Sequence, residues 1–351
     1  MKNLLKVAIL ISLCIISLHA QQDSLITIRG RVLDKETGAP IEDVNVFLSN
    51  TTIGTTTGKY GNFIISNIPY GSYKIVFSYI GYKTEINNLS SYIQKIFDVN
   101  ISLEQKAINL NLVNVTGVVS SDWKNNLKTF TKAFIGDTKN SDKTKILNPE
   151  VLDFVKDKKT SILNASSDST LVVENKALGY ILYIVLNSFE LGPKGDKNFI
   201  KYKCYTRFKE LNPISEKQKL KWENNRKLTY IDSQRHFFYA LVHKQLERDY
   251  YSLHEGPIDN LLEGKGTTIL PKQLNLISDN DSTIYTFNFS GGLEVRRFLN
   301  EPSFLNFLYP FITIDRNGNL ITSFYAVETY GYWSKNRIAD LLPQNYIYTG
   351  Q

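Results

Sequence analysis

Two cysteines and four histidines are all that this chain of 351 residues supplies, and that scarcity removes several kinds of chemistry at once. Cys14 lies in the N-terminal stretch, so only Cys204 remains for the body of the protein, and one thiol cannot close an internal disulfide. Stability must come from the core alone. Outside that stretch the histidines are His236, His243 and His254. No Gly-x-Ser-x-Gly elbow and no phosphate-cradling glycine loop occurs. Ser121-Asp-Trp-Lys124 matches Ser-x-x-Lys, but the Lys-Thr-Gly partner that would give the match meaning is absent. The formal charge of +7 is mild and scattered, without the clustered Lys and Arg that nucleic-acid binding requires.

What is present begins with an address. Lys2 and Lys6 precede the apolar run Val7 to Leu18, and Ala20 closes the segment, the composition and order of a secretory signal peptide over residues 1–20. The run is shorter than the roughly 20 apolar residues that cross a bilayer core, so no transmembrane segment is expected after cleavage. Acylation at Cys14 is disfavoured because Leu13 stands where that signal wants a small side chain. The expectation is an exported protein, in the periplasm or associated with the outer membrane. Cleavage would remove two lysines and leave 39 basic against 34 acidic residues, a charge of +5. With 42% hydrophobic and 12% aromatic residues the remaining chain is long enough for two cored domains.

Residues 21–104 read as an all-β sandwich. Ile26, Ile28 and Val32 alternate with polar residues at the period of a half-buried strand, and Gly38 and Pro40 turn the chain out of it. Val44, Val46 and Leu48 form a second apolar face, then Phe63 and Ile65, then Tyr73, Ile75, Phe77 and Tyr79. Phe97, Val99, Ile101 and Leu103 alternate with polar residues as one last strand.

These residues resemble the carboxypeptidase-regulatory-like domains, transthyretin-like sandwiches found at the N-termini of exported Bacteroidota proteins. The resemblance rests on Gly30-Arg-Val-Leu-Asp34, Thr37-Gly-Ala-Pro-Ile41, Gly54-Thr-Thr-Thr57, Gly61-Asn-Phe63 and Ser78-Tyr-Ile-Gly-Tyr82. It implies a seven-stranded sandwich. Gly58 departs from the family by standing where an acidic residue is usual, which weakens any case for a bound calcium ion. The peptidase of the family name is not implied, because none of the three remaining histidines has Glu three residues later to form a zinc site. Such sandwiches also precede the barrel of TonB-dependent receptors, and too little chain follows for that barrel.

Residues 105–122 read as a linker, with Leu110, Leu112, Val113 and Val115 available for one more strand, and residues 123–351 as an α+β domain with an antiparallel sheet and several helices. Trp123, Leu127, Phe130 and Phe134 make one helical stripe. Asn148-Pro-Glu150 predicts a second helix carrying Val151, Leu152 and Val155. Leu178 to Leu186 is apolar on both faces, as in a central strand, and Cys204 in the following strand shares the inward face with Tyr202 and Phe208. Ser215 and Gln218 form a capping box before a helix on which Trp222, Arg226 and Tyr230 share a face, with the guanidinium placed to stack between the two rings. Ser233 caps a further helix bearing Phe237, Phe238, Leu241, Val242 and Leu246. His236 and His243 lie two turns apart on it, too far for a metal pair at i and i+4. Asp279-Asn-Asp281 and Asp315-Arg-Asn317 lack the later Glu of a calcium loop and read as Asx turns.

Several blocks, among them Phe130 to Gly136, Glu174 to Tyr180, Trp222 to Arg226 and Ala339 to Pro343, resemble a module that follows the regulatory-like sandwich in many exported Bacteroidota proteins. That resemblance implies architecture and no mechanism. With no convergent nucleophile, base and metal set, the expected function is a non-enzymatic envelope protein whose C-terminal domain binds a protein or glycan partner, in association with an outer-membrane complex. Trp222, Arg226, His236 and His243 are the candidate binding residues, and no catalytic residue, metal or cofactor is assigned. The alternative is a hydrolase with an acid–base pair drawn from Glu174, Glu190, Glu223 and the histidines.

Overall fold

The computed structural model describes residues 25–90, 95–106, 121–195, 197–279, 283–322 and 325–348. The expected signal peptide, the bulk of the expected linker with its extra strand, and the middle of the Asp279–Thr283 cluster lie outside them.

The N-terminal region contains β1 (Leu25–Asp34), β2 (Asn45–Leu48), β3 (Gly54–Thr56), β4 (Asn62–Pro69), β5 (Ser72–Ser78), β6 (Glu85–Ser90), β7 (Ile96–Asp98) and β8 (Ile101–Leu103). One sheet runs β4-β1-β7 with β8 also on β1, and the facing sheet runs β3-β2-β5-β6. Ile26, Ile28, Val46, Leu48, Ile75 and Phe77 fill the space between them. The described strands number eight rather than seven, because Phe97 to Leu103 is broken in the middle. Val99 N–H donates to the Arg29 carbonyl at 2.8 Å, and Asn100 Oδ1 accepts the Arg31 N–H at 3.0 Å. Gly30 makes the break possible: a Cβ there would stand 1.9 Å from the Val99 oxygen. Both halves run parallel to β1, so the sandwich is not wholly antiparallel. At the end of β1, Asp34 Oδ1 accepts the Glu36 and Thr37 N–H groups while Oδ2 accepts from Tyr82 and Gln105, tying a turn to two distant segments.

The next region contains α1 (Ser121–Ile135), β9 (Thr144–Ile146), β10 (Leu152–Lys156), β11 (Leu163–Ser167), β12 (Leu171–Asn175), β13 (Tyr180–Lys194) and β14 (Lys197–Glu210). The strands form one antiparallel sheet around β13, which pairs with β11, β12 and β14. Phe130 and Phe134 of α1 are wholly buried on it, Phe130 edge-on to Phe189 at 4.7 Å. The helix expected after Asn148 is a single 3-10 turn, Pro149–Val151, that leads directly into β10. Five consecutive pairings of β10 with β11 override the Pro-Glu start signal, and Val155 is left 67% exposed.

The remainder comprises α2 (Glu216–Tyr230), α3 (Gln234–Val242), β15 (Tyr251–Gly256), α4 (Ile258–Leu262), β16 (Thr267–Ile269), β17 (Asn275–Ser278), β18 (Ile284–Asn288), β19 (Gly291–Arg297), β20 (Ser303–Phe307), β21 (Phe311–Asp315) and β22 (Val327–Gly331). Strands β16-β15-β19-β20-β22 and β17-β18-β21 form two further antiparallel sheets, whose core takes Phe237, Phe238 and Leu241 from α3 and Trp333 from the C-terminal side. The C-terminal region is thus α+β with antiparallel sheets.

The sandwich is not free of the rest. Phe47 and Val76 point out of its second sheet and are buried, with Ile86, against Tyr205 of β14 and Val185 of β13. The β2–β3 loop then extends the β13–β14 ribbon: Asn50 N–H donates to the Thr206 carbonyl at 2.6 Å, and Phe208 N–H donates to the Thr51 carbonyl at 2.9 Å. Thr51 is wholly buried there. The same loop holds the C-terminal strap, since Gln344 N–H donates to the Asn50 carbonyl and Asn345 Nδ2 donates to Thr52 Oγ1 at 2.7 Å.

Candidate functional site

Helix α2 starts at the expected cap, with the return bond of the capping box displaced by one residue, to Ile214 instead of Ser215. Ser215 Oγ accepts the Gln218 N–H, and Gln218 Oε1 accepts the Ile214 N–H. Two stripes diverge from that start. Trp222, Arg226 and Tyr230 turn inward and are buried. Leu220, Glu223, Asn224 and Lys227, at i, i+3, i+4 and i+7, face the strap residues Tyr346, Ile347 and Tyr348 across a cleft of about 400 Å³.

The strap is held by Arg235, the second residue of α3. Its guanidinium donates to the carbonyls of Pro343 at 2.9 Å, Gln344 at 2.7 Å and Tyr346 at 2.9 Å, with Nε on the Asn317 carbonyl at 3.3 Å. Five fixed N–H donors suit one guanidinium to gathering several carbonyls of an irregular segment, which an ammonium cannot do. Tyr348 stacks on Tyr230 with centroids 5.1 Å apart, and Lys227 Nζ lies 5.8 Å from the Tyr348 ring. The cleft therefore has aromatic walls with a carboxylate, an amide and an ammonium along one edge.

The four candidates from sequence separate. Trp222 donates from Nε1 to the Lys176 carbonyl at 2.9 Å and packs against Gly179, whose φ of +74° lies in the left-handed region. Arg226 donates to the Leu178 carbonyl at 2.8 Å and the Gly179 carbonyl at 3.3 Å, and its guanidinium lies 4.0 Å from the Tyr180 ring centre. The stacking partner is thus Tyr180 of β13, not the flanking rings of its own helix, because Trp222 and Tyr230 are drawn to other contacts. Arg226 lines the base of the cleft as well. The histidines lie elsewhere. His236 is buried beside Tyr251, whose hydroxyl is 2.8 Å from Nδ1. The Asp232 N–H also points at Nδ1, which places the imidazole proton on Nε2, 3.8 Å from Asp249 Oδ2. Burial, then the nearby Arg297 charge, push its pKa down to about 4. His243 Nε2 is 2.8 Å from the Arg316 carbonyl, with the ring 4.2 Å from that of Tyr239.

The carboxylates of the hydrolase alternative sit on three different elements. Glu174 on β12 pairs with Lys176 at 3.1 Å, Glu190 on β13 lies opposite Lys201 in the ribbon, and Glu223 faces the cleft. Cys204 is buried, and desolvation pushes its thiol up to about 12. Asp315 Oδ1 accepts the Asn317 and Asn319 N–H groups at 2.8 Å, an Asx turn. Among the described residues no group of three His, Cys, Asp or Glu side chains is placed to hold a metal ion, and no helix is long and apolar enough to cross a membrane, which says nothing of a β-barrel.

Sequence reasoning missed Arg235, Tyr346 and Tyr348. The alternation of Tyr346, Ile347 and Tyr348 near the C-terminal end of the sequence was a usable signal; nothing local distinguishes Arg235 from a surface arginine.

Residues 28–115 match the CarboxypepD_reg-like domain family. The N-terminal unit is a CarboxypepD_reg-like domain. Its match to a TonB-dependent receptor of Formosa agariphila is 34% identical over 92 residues, covering 26% of this chain and 8% of that receptor's length. Among solved structures, the pilus 2b backbone protein of group B streptococcus is 16% identical over 23% of this chain and 41% of its own, with a TM-score of 0.20. A DUF3823 family protein of Parabacteroides merdae is 11% identical over 52% of this chain and 82% of its own, also at a TM-score of 0.20. Likenesses at that level bear on neither architecture nor function.

Proposed function

We propose that this is a non-enzymatic protein of the cell envelope, exported by its N-terminal segment to the periplasm or the outer membrane, whose C-terminal region binds a glycan in the cleft between α2 and the strap. The CarboxypepD_reg-like domain is its structural module, docked on β13 and β14 through Phe47, Val76 and Tyr205.

The lining of the cleft carries the reading. Sugar rings present C–H faces that pack on aromatic rings, as Tyr346 and Tyr348 offer. Their vicinal hydroxyls pair with a carboxylate and an amide on the same helical turn, as Glu223 and Asn224 offer, and Lys227 adds a donor for a ring oxygen or a uronate carboxylate. A cleft of about 400 Å³ is within the usual range for small-ligand sites. Titration calorimetry of the full chain against a panel of neutral and uronate-containing oligosaccharides tests it. The expected result is binding by at least one class, weakened tenfold or more by Tyr348→Ala and by Asn224→Ala with the melting temperature unchanged. Binding that ignores both substitutions, or none across the panel, refutes it.

A further inference from the structure

Outside the cleft, Tyr250, Phe298 and Leu299 form an apolar tip. Tyr250 immediately precedes β15, and Phe298 and Leu299 turn the chain out of β19. The antiparallel pairing of Tyr251 with Arg297 sets the two segments side by side, and Phe298 N–H donates to the Tyr250 carbonyl at 3.1 Å. The rings stack with centroids 4.4 Å apart and planes 25° off parallel. Tyr250 is 62% exposed, Phe298 51% and Leu299 100%.

Two features separate this tip from scattered surface hydrophobics. Tyr250 and Phe298 both have left-handed backbone, with φ of 59° and 53°, a conformation that bulky side chains rarely adopt. The strained backbone holds both rings outward. The tip is also flanked by arginine. The Arg297 guanidinium lies 5.1 Å from the Phe298 ring and donates from Nε to the Asp249 carbonyl, and Arg248, two residues before Tyr250, is exposed. Two carboxylates near the tip are engaged, Asp249 by Arg248 at 3.1 Å and Glu301 by Lys335 at 2.5 Å, while Glu247 is exposed.

We propose that this tip docks the protein on an anionic lipid surface, with Leu299 and the two rings entering the boundary between headgroups and acyl chains and Arg248 and Arg297 meeting the headgroup phosphates. A turn that projects one fully exposed leucine is convex, which suits a deformable bilayer. Aromatic rings bordered by cations match the layered chemistry of its interface.

Sedimentation of the full chain with vesicles of phosphatidylglycerol and phosphatidylcholine in equal parts, and of phosphatidylcholine alone, tests the inference. The expected result is binding to the anionic vesicles, at least tenfold weaker to the neutral ones, and lowered at least tenfold by Leu299→Ser and by Phe298→Gly. Phe298→Gly keeps the variant informative, because glycine relieves the left-handed backbone and should melt at or above the temperature of the unaltered chain. No sedimentation with anionic vesicles, or sedimentation unaltered in a folded Phe298→Gly chain, overturns the proposal. So does a concentration-dependent dimer abolished by Leu299→Ser, which assigns the tip to a second copy.

Discussion

Replacing Tyr205 by alanine tests whether the two regions fold as one body. Tyr205 is 3% exposed and lies against Phe47 at 2% and Val76 at 0%, so its ring fills space that the surrounding strands cannot collapse into. Truncating such a ring costs about 3 to 5 kcal/mol by precedent for buried aromatics. Partial relaxation of a surface shared by two regions places the expectation near the lower end, about 3 kcal/mol. The location of that loss matters more than its size. The unaltered chain should unfold in a single calorimetric transition, whereas Tyr205→Ala should separate the melting of the sandwich from that of the C-terminal region. Combining it with Phe47→Ala should cost at least about 0.5 kcal/mol less than the two changes summed, because each already removes part of the same contact. Additive losses, or a cost for Tyr205→Ala below about 1 kcal/mol with one transition retained, would refute the reasoning.

His236 predicts a pH dependence. Its folded pKa of about 4 lies below the ordinary value of 6.5, so the folded chain binds this proton less readily than the unfolded one. The contribution is complete above pH 6.5 and is lost as pH falls toward 4, by roughly 3 kcal/mol at most. Asp232 and Asp315, raised by burial, act in the opposite sense as they protonate. Urea unfolding of His236→Gln should show a flatter slope between pH 4 and 6.5, and an unchanged slope assigns the dependence to other groups. Gly179→Ala should cost at least about 2 kcal/mol, since the new Cβ would stand 2.4 Å from the Trp222 indole on left-handed backbone. A shift below about 0.5 kcal/mol in the urea midpoint would show that the indole moves freely.

Much of the local structure was legible because it is written in short periods. Alternation located β1, β2, β5 and β14, a run apolar on both faces located β13, and the caps Ser215 and Ser233 were read from single residues and their spacing. The errors fall where distant pairing decides. The 148–155 segment carries a good helix start, but five pairings with β11 make it a strand. The stacking of Arg226 on Tyr180 joins residues no local pattern links. Docking of the sandwich did leave a trace. Ile75, Val76 and Phe77 are apolar at both parities, as is Phe47 between Val46 and Leu48, the pattern of strands covered on both faces. The Arg235 clamp left none, because its acceptors are main-chain carbonyls that any sequence supplies.

The loop from Ser49 to Thr52 has a consequence for anyone who divides this protein at residues 107–120. A fragment starting at α1 would keep its own sheets and lose the backbone that satisfies the Thr206 carbonyl and the Phe208 N–H. It would carry an open strand edge with Tyr205 and Val185 bare beside it, a template for pairing with another chain. Such a fragment is expected to self-associate, so an activity lost with the sandwich would first report a sticky edge.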